Sequence, residues 1–439
     1  MQDKTPNHEL SAMQCPHSLE EVDLFAPGAA EHWYESYDIL HEHAPVHRLP
    51  GEGFEPGTDA FILSKHEDIA RVVRDEERYP VVTKTILHRI MEAYDDAFSA
   101  PGVTTLLASM ATLRPNPELW RTHRQELTDP WVGPGASRHE AMINRVVNEW
   151  IDSWIEADEV EWISQFAQPV PHTVMANVLG WPLEDLQLLK YYGDGTVKPF
   201  VYGARHNCVL PAEETESQMS VLNEFKHYVA ELITRKRNAP QEDMITFLTQ
   251  VEYSPLQRKL TDLEINGIVY AMVIGGLETT QYALSEQVQL LIERPQIWDE
   301  IKTSPEKVRA FTEEGMRLRS PTQGLSTRLT SQDEEFQGVD VPKGSYLHLR
   351  WAAANIDPDE WEDAKALRLD RKAGTRHLAF SQGPRVCPGA SLSRLEQMCA
   401  WRNIFERVKR FEYAPGNTFL HQPGIMLGTL ELNLRFEKV

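Results

Sequence analysis

Cysteine is scarce in this chain of 439 residues: Cys15, Cys208, Cys387 and Cys399 are too few for a disulfide scaffold and too widely spread for a zinc knuckle. Basic residues are also in short supply. With 44 Lys and Arg against 66 Asp and Glu, the formal net charge is -22, which repels nucleic acid and anionic lipid unless cations gather on one face. No apolar run is long enough to cross a bilayer, and the first residues carry neither an apolar core nor a small-residue cleavage site. These absences predict a cytoplasmic protein with no nucleic-acid and no membrane partner. Low-complexity tracts and internal repeats are missing too, so the 41% hydrophobic content is that of an ordinary globular chain with a large core.

Periodicity predicts a mostly helical chain. After a loose arm over 1–28, helical spacing covers 29–43 through Trp33, Tyr37 and Leu40, and apolar clusters at 46–48 and 60–63 flank a Gly/Pro-rich turn. Further helices are expected at 66–74, 117–127, 139–155, 161–179, 214–237, 243–251 and 305–319, with Asn116 as an N-cap and Gly180 as a stop. Residues 79–114 read as a long, partly helical loop, and 191–211 and 352–371 as irregular. The longest apolar-periodic stretch, 261–291, predicts one buried helix opened by a capping box of Thr261 and Glu264. Short strands are expected at 325–329, 339–349, 411–413 and 427–436.

The stretch 380–396 organises the chemistry. Cys387 sits between a turn built from Pro384, Pro388 and Gly389 and a helix beginning near Ala390, so peptide N–H groups and the helix's positive end face the sulfur and favour a thiolate. Arg385 adds a fixed cation. A thiolate on a stiff turn, with a glycine that lets a flat group lie close, suits a haem iron. Alone, the same cysteine reads first as a small buried hydrophobe, the common fate of a lone cysteine.

In the middle of the long helix stand Gly275 and Gly276, each costing about 1 kcal/mol relative to alanine. They clear space beside Glu278 and Thr279, an acid and an alcohol able to relay protons, although Glu-Thr-Thr by itself reads first as polar helix surface. Glu314 and Arg317 are spaced for an i,i+3 ion pair, and Trp120 and Arg124 share one face at i,i+4.

Taken together, these segments resemble the cytochrome P-450 superfamily, in its soluble bacterial form. Phe380, Gly383, Arg385, Cys387 and Gly389 match its cysteine signature; Gly275, Gly276, Glu278 and Thr279 match its oxygen-activation motif; Glu314 and Arg317 match its E-x-x-R. The resemblance runs from about residue 29 to the end and is weakest over 79–116. Ser381 stands where bacterial members usually carry glycine. Ala364-Lys365-Ala366-Leu367 replaces the element that normally supplies an arginine to the Glu314-Arg317 pair, leaving Arg368 or Arg371 as substitutes.

The resemblance implies a mainly α fold with small β-sheets, a single haem-binding domain over 29–439, and haem b held between 275–280 and the Cys387 loop. Cys387 would ligate the iron. Thr279 would hydrogen-bond the oxygen being activated while Glu278 helps to deliver protons. Propionates would be met by Trp120, Arg124, Arg328 and Arg385, with His377 at the head of the loop, and the Glu314-Arg317 pair would brace that loop. The implied activity is a monomeric monooxygenase that hydroxylates or oxidatively dealkylates a small, lipophilic substrate. Electrons would come from a separate ferredoxin or flavodoxin, since no flavin or nicotinamide module fits the remaining chain.

Arg121, His123, Arg124, Arg394 and Arg402 are the expected docking cations. The substrate pocket is expected to draw on 85–113, including His88 and Arg89, on 191–211, Val273, Gly276, 323–325 and 425–427. A peroxide-driven peroxygenase and a non-catalytic haem sensor are the alternatives; neither explains the acid-alcohol pair as well.

Overall fold

Trp33, Trp154, Trp162, Trp298 and Trp401 are all fully buried, and their rings mark where the helices cross. Trp162 stacks on Trp401 at 6.0 Å between centroids, and Trp154 meets Phe436 edge-on at 5.0 Å, so helices and C-terminal strands share one core. In this computed structural model the described residues are 14–26, 28–82, 106, 109, 113–114, 116–201, 203–204, 207–208, 212–324, 327–371, 376–422 and 424–439.

The first half contributes α1 (Trp33–His43), β1 (Val46–Leu49), β2 (Ala60–Leu63), α2 (His66–Arg74), α3 (Pro117–His123), α4 (Glu140–Trp154), β3 (Glu159–Glu161), α5 (Pro169–Leu179), α6 (Leu186–Val201) and α7 (Ala212–Asn238). Then come α8 (Met244–Gln250), α9 (Asp262–Gly276), α10 (Glu278–Glu293), α11 (Pro295–Thr303), α12 (Val308–Leu318), α13 (Trp351–Ala354) and α14 (Ala390–Arg407). One sheet pairs β2 with β1 and with a parallel strand at Tyr346–Leu349, whose other edge is Thr327–Leu329. A second, antiparallel sheet joins Val408–Tyr413, Asn433–Lys438 and β3. The mainly α expectation with small sheets therefore holds. Among the described residues no helix is long and apolar enough to cross a membrane.

Several local expectations are met at the atoms that cause them. Asn116 accepts from the Leu119 N–H at 3.0 Å, and Thr261 and Glu264 close a reciprocal capping box. Gly180 ends α5 in the left-handed region at φ 76. Residues 14–26, expected within a loose arm, lie against the core: Leu24 is buried and its carbonyl accepts from the Trp33 indole at 3.1 Å.

Two differences shape the site. Residues 191–201, expected to be irregular, continue α6; its glycines are packing positions, because a Cβ on Gly193 would meet Leu277 at 2.7 Å and one on Gly195 would meet Val221 at 2.5 Å. The expected single helix over 261–291 is two. The chain breaks at Leu277, between α9 and α10, where a hydroxyl displaces the regular ladder. Most of 79–114 lies outside the described residues, as do His88 and Arg89.

Candidate active site

That hydroxyl belongs to Thr279, whose Oγ1 donates to the Gly275 carbonyl at 2.8 Å. The two glycines before it serve different purposes. A Cβ on Gly276 would lie 2.2 Å from Met175 of α5, whereas one on Gly275 would find nothing within 4 Å, because that face opens into a cavity. Close packing and an open wall are what offset the poor helix propensity of the pair.

Two adjoining cavities, of about 360 and 280 Å³, separate α9 from the cysteine loop and share Ala271, Met272, Gly275, Thr279, Arg385 and Pro388. Cys387 and Gly389 line the smaller, with Phe380, Gly276 and Thr280. The Cys387 N–H donates to the Phe380 carbonyl at 2.9 Å, which closes the loop on itself. Gly383, at φ 74, lets the turn approach Val73 of α2, whose carbonyl a Cβ would meet at 2.5 Å. Burial pushes the Cys387 thiol up, against the N–H groups of Gly389 and Ala390 and the charges of Arg124 and Arg394, which pull it down. The expected net lowering is thus reversed for the free thiol; a cation bound at the sulfur would restore the thiolate. Nor is Arg385 the cation acting on the sulfur. It pairs with Glu76 and lies over the Trp120 ring, 4.0 Å from its centroid.

The larger cavity ends in a cluster of positive groups. Trp120 is held between Arg114 at 3.9 Å and Arg385, while Arg124 donates to the Val386 carbonyl at 2.8 Å. His123, expected among the docking cations, is instead buried and lines this cavity, with neither ring nitrogen partnered among the described residues. Burial first, then Arg114 and Arg124, drive its pKa down to about 3. These residues fit a flat, dianionic, metal-bearing group: Trp120, His123 and Arg124, with Arg385 beside them, would hold its anions, and Cys387 would hold its metal.

Arg328 and His377 stand apart from this cluster. Arg328 is buried, donates to the Thr327 carbonyl at 3.1 Å and lines neither cavity, and burial lowers its pKa to about 10. His377 is committed at both nitrogens, to Glu313 at 2.9 Å and to the Ala379 N–H at 3.2 Å. Burial works Glu313 upward, yet His377 and Arg394 carry it down to about 2.

Glu278 also lines neither cavity. It is buried, and its Oε2 accepts from the Tyr282 hydroxyl at 2.8 Å. Burial raises its pKa to about 7, opposed by that hydrogen bond. Glu314 receives a bidentate Arg317, whose remaining N–H groups reach the carbonyls of Asn355, Ala364 and Ala366. Asn355 in turn accepts from the Leu378 N–H at 2.6 Å, which ties this cluster to the segment leading into the cysteine loop.

Of the expected pocket residues, Gly276 and Met426 line a cavity, as does Val197 from α6. Gln323 turns into the core, where it accepts from Tyr37 and donates to the Ser320 carbonyl. Arg114, Tyr282 and Glu396 are absent from the sequence reading. Glu396 lines the smaller cavity and burial lifts it well above the usual carboxylate range, with Oε2 unpartnered among the described residues. Tyr282 follows Glu278 by four, and His123 follows Trp120 by three. Helical spacing alone carried both signals.

A half-buried cysteine at a helix start, an apolar slot and a cationic rim define a haem-thiolate protein. The family model for cytochrome P450 matches residues 62–434, and the chain belongs to this family, whose cofactor is haem and whose members are monooxygenases of organic substrates. It is 22% identical over 397 residues to the polyketide biosynthesis cytochrome P450 PksS of Bacillus subtilis, covering 89% of this chain and 93% of that one. Among solved structures, P450BioI in complex with hexadec-9Z-enoic acid ligated acyl carrier protein superposes with a TM-score of 0.79 at 24% identity, covering 93% of this chain and 99% of that one. CYP109E1 from Bacillus megaterium with testosterone superposes at 0.77 and 21% identity, covering 92% and 98%. Both share the fold.

Proposed function

We propose that the chain hydroxylates or oxidatively dealkylates a small lipophilic substrate in the cytoplasm, with electrons from a separate ferredoxin or flavodoxin. In this reading Cys387 holds the iron, and Trp120, His123, Arg124 and Arg385 hold the propionates. The haem, when bound, supplies the site at which dioxygen is reduced and one oxygen atom is passed to substrate, the other leaving as water with two electrons and two protons.

The chain's own residues do the rest. Ile268, Ala271, Met272, Ile274 and Met426 present an apolar wall that favours lipophilic molecules and excludes water. Thr279 holds a hydroxyl at the cavity wall, and Glu278 is poised near neutral pH to give up and regain a proton. The exposed Arg121 and the half-exposed Arg402 support docking of an acidic electron carrier.

The observation that carries this reading is the break at Leu277, which turns the Thr279 hydroxyl back onto Gly275 at the open wall. Turnover of Thr279→Ala tests it. The expected result is electron consumption with peroxide released and little product; product formation fully coupled to electron use would overturn the relay.

A further inference from the structure

Tyr282 is fixed more tightly than a helix-surface tyrosine needs to be. Its ring is buried against Val197 and Met426, and Gly428 approaches it so closely that a Cβ there would lie 2.5 Å from Cε1. The hydroxyl therefore has a fixed position, one helical turn beyond Glu278, and donates to Glu278 Oε2. Glu278 opens α10 directly after the break, where backbone geometry on its N-terminal side is irregular.

The surroundings of the acid come from several elements. Gly193 packs against Leu277 and brings α6 alongside, so Asp194 and Lys190, paired with each other and partly exposed, are the charges that act on Glu278. His172 of α5, buried, feels the same two charges. From the C-terminal segment, the Gln422 side chain faces the Tyr282 hydroxyl.

We propose that Tyr282 is the positioning residue of the proton relay: its hydroxyl holds Glu278 turned away from the cavity, toward Asp194, Lys190 and solvent, and breaking that hydrogen bond accompanies transfer of the proton toward Thr279. This rests on the relay role given to Glu278 above. A carboxyl that lines neither cavity must move to deliver a proton into one, and the hydroxyl is the partner it must leave. No other described residue makes a hydrogen bond to the Glu278 carboxyl.

The donated hydrogen bond favours the carboxylate, so its loss raises the acid's pKa. Infrared difference titration of the holoenzyme, with Glu278→Gln used to assign the protonated carboxyl band, reads this without turnover. Tyr282→Phe keeps the packed ring; the midpoint is expected to rise by about one pH unit, a tenfold change in proton affinity. Replacing Tyr282 by 3-fluorotyrosine makes a stronger donor and moves the midpoint the other way, which keeps the test sound should the phenylalanine variant fail to assemble. A midpoint unmoved by these replacements overturns the inference. If instead the midpoints move but Glu278→Gln still forms fully coupled product, the relay itself is refuted and Tyr282 merely tunes a bystander acid.

Discussion

Arg371 places its Nε 3.0 Å from Glu314 Oε2, completing the buried cluster whose third member the usual sequence element does not supply. Its other N–H groups bond the carbonyls of Glu362, Asp363 and Ala366, so one side chain joins the Glu314-Arg317 pair to the preceding turn. Arg368, the other sequence candidate, gives Glu314 only its backbone N–H, at 3.1 Å, while its side chain faces Glu362, Asp363 and Asp370 at the surface.

Arg371→Ala should therefore cost about 1–3 kcal/mol, because it strips a hydrogen-bonding partner from a buried carboxylate. Arg368→Ala should leave the urea midpoint of the holoprotein unchanged. Equal losses in the two variants would show that the geometry assigned to Arg371 is wrong.

His421 bridges Glu31 at 2.9 Å and the buried Glu286 at 3.4 Å, and although burial works against the imidazolium, the two carboxylates raise its pKa to about 9. Since the folded value lies above the unfolded one of 6.5, this contribution is fully present below pH 6.5 and is lost as pH rises to 9. Denaturation at pH 6.5 and 9 should show the wild type losing on the order of 2 kcal/mol beyond any loss in His421→Gln. Parallel pH profiles would refute the linkage.

The two motif glycines should respond in opposite senses. Gly276→Ala drives a methyl group against Met175 Cε, the free end of a flexible side chain that must shift, and should destabilise by about 1 kcal/mol, a loss that Met175→Ala partly relieves through coupling of neighbours. Gly275→Ala meets no protein atom, so thermal stability should hold or rise slightly, while the substrate-induced spin-state shift in the absorption spectrum weakens. A Gly275 variant that melts early would place that wall elsewhere.

Ser381 stands at φ 58, in the left-handed region, at the position where the resemblance leads one to expect glycine. Ser381→Gly should stabilise the holoprotein by about 1 kcal/mol, as relief of the Cβ clash outweighs the extra freedom of the unfolded chain. A lower melting temperature would mean that the serine side chain makes a contact worth more than the strain.

How much was legible beforehand follows from what each signal depends on. The capping box at Thr261, the stop at Gly180, the run around Cys387 and the glycine pair are local patterns, set by backbone sterics and by hydrogen bonds between near neighbours in the chain. Helix-forming spacing likewise predicted most elements. It misread α6 because glycines that look like breakers are, in the folded chain, the places where Leu277 and Val221 come close.

By itself, then, the sequence determined the family, the cysteine turn and the acid-alcohol pair, because each is written in residues adjacent along the chain. The tertiary structure alone decided which buried groups meet across it. Arg371 rather than Arg368 completes the Glu314 cluster, His123 faces the cavity rather than solvent, and Glu278 turns to Tyr282 and away from Thr279's cavity. Those choices depend on which long side chain reaches which desolvated partner, and that is settled only when distant elements pack and exclude water.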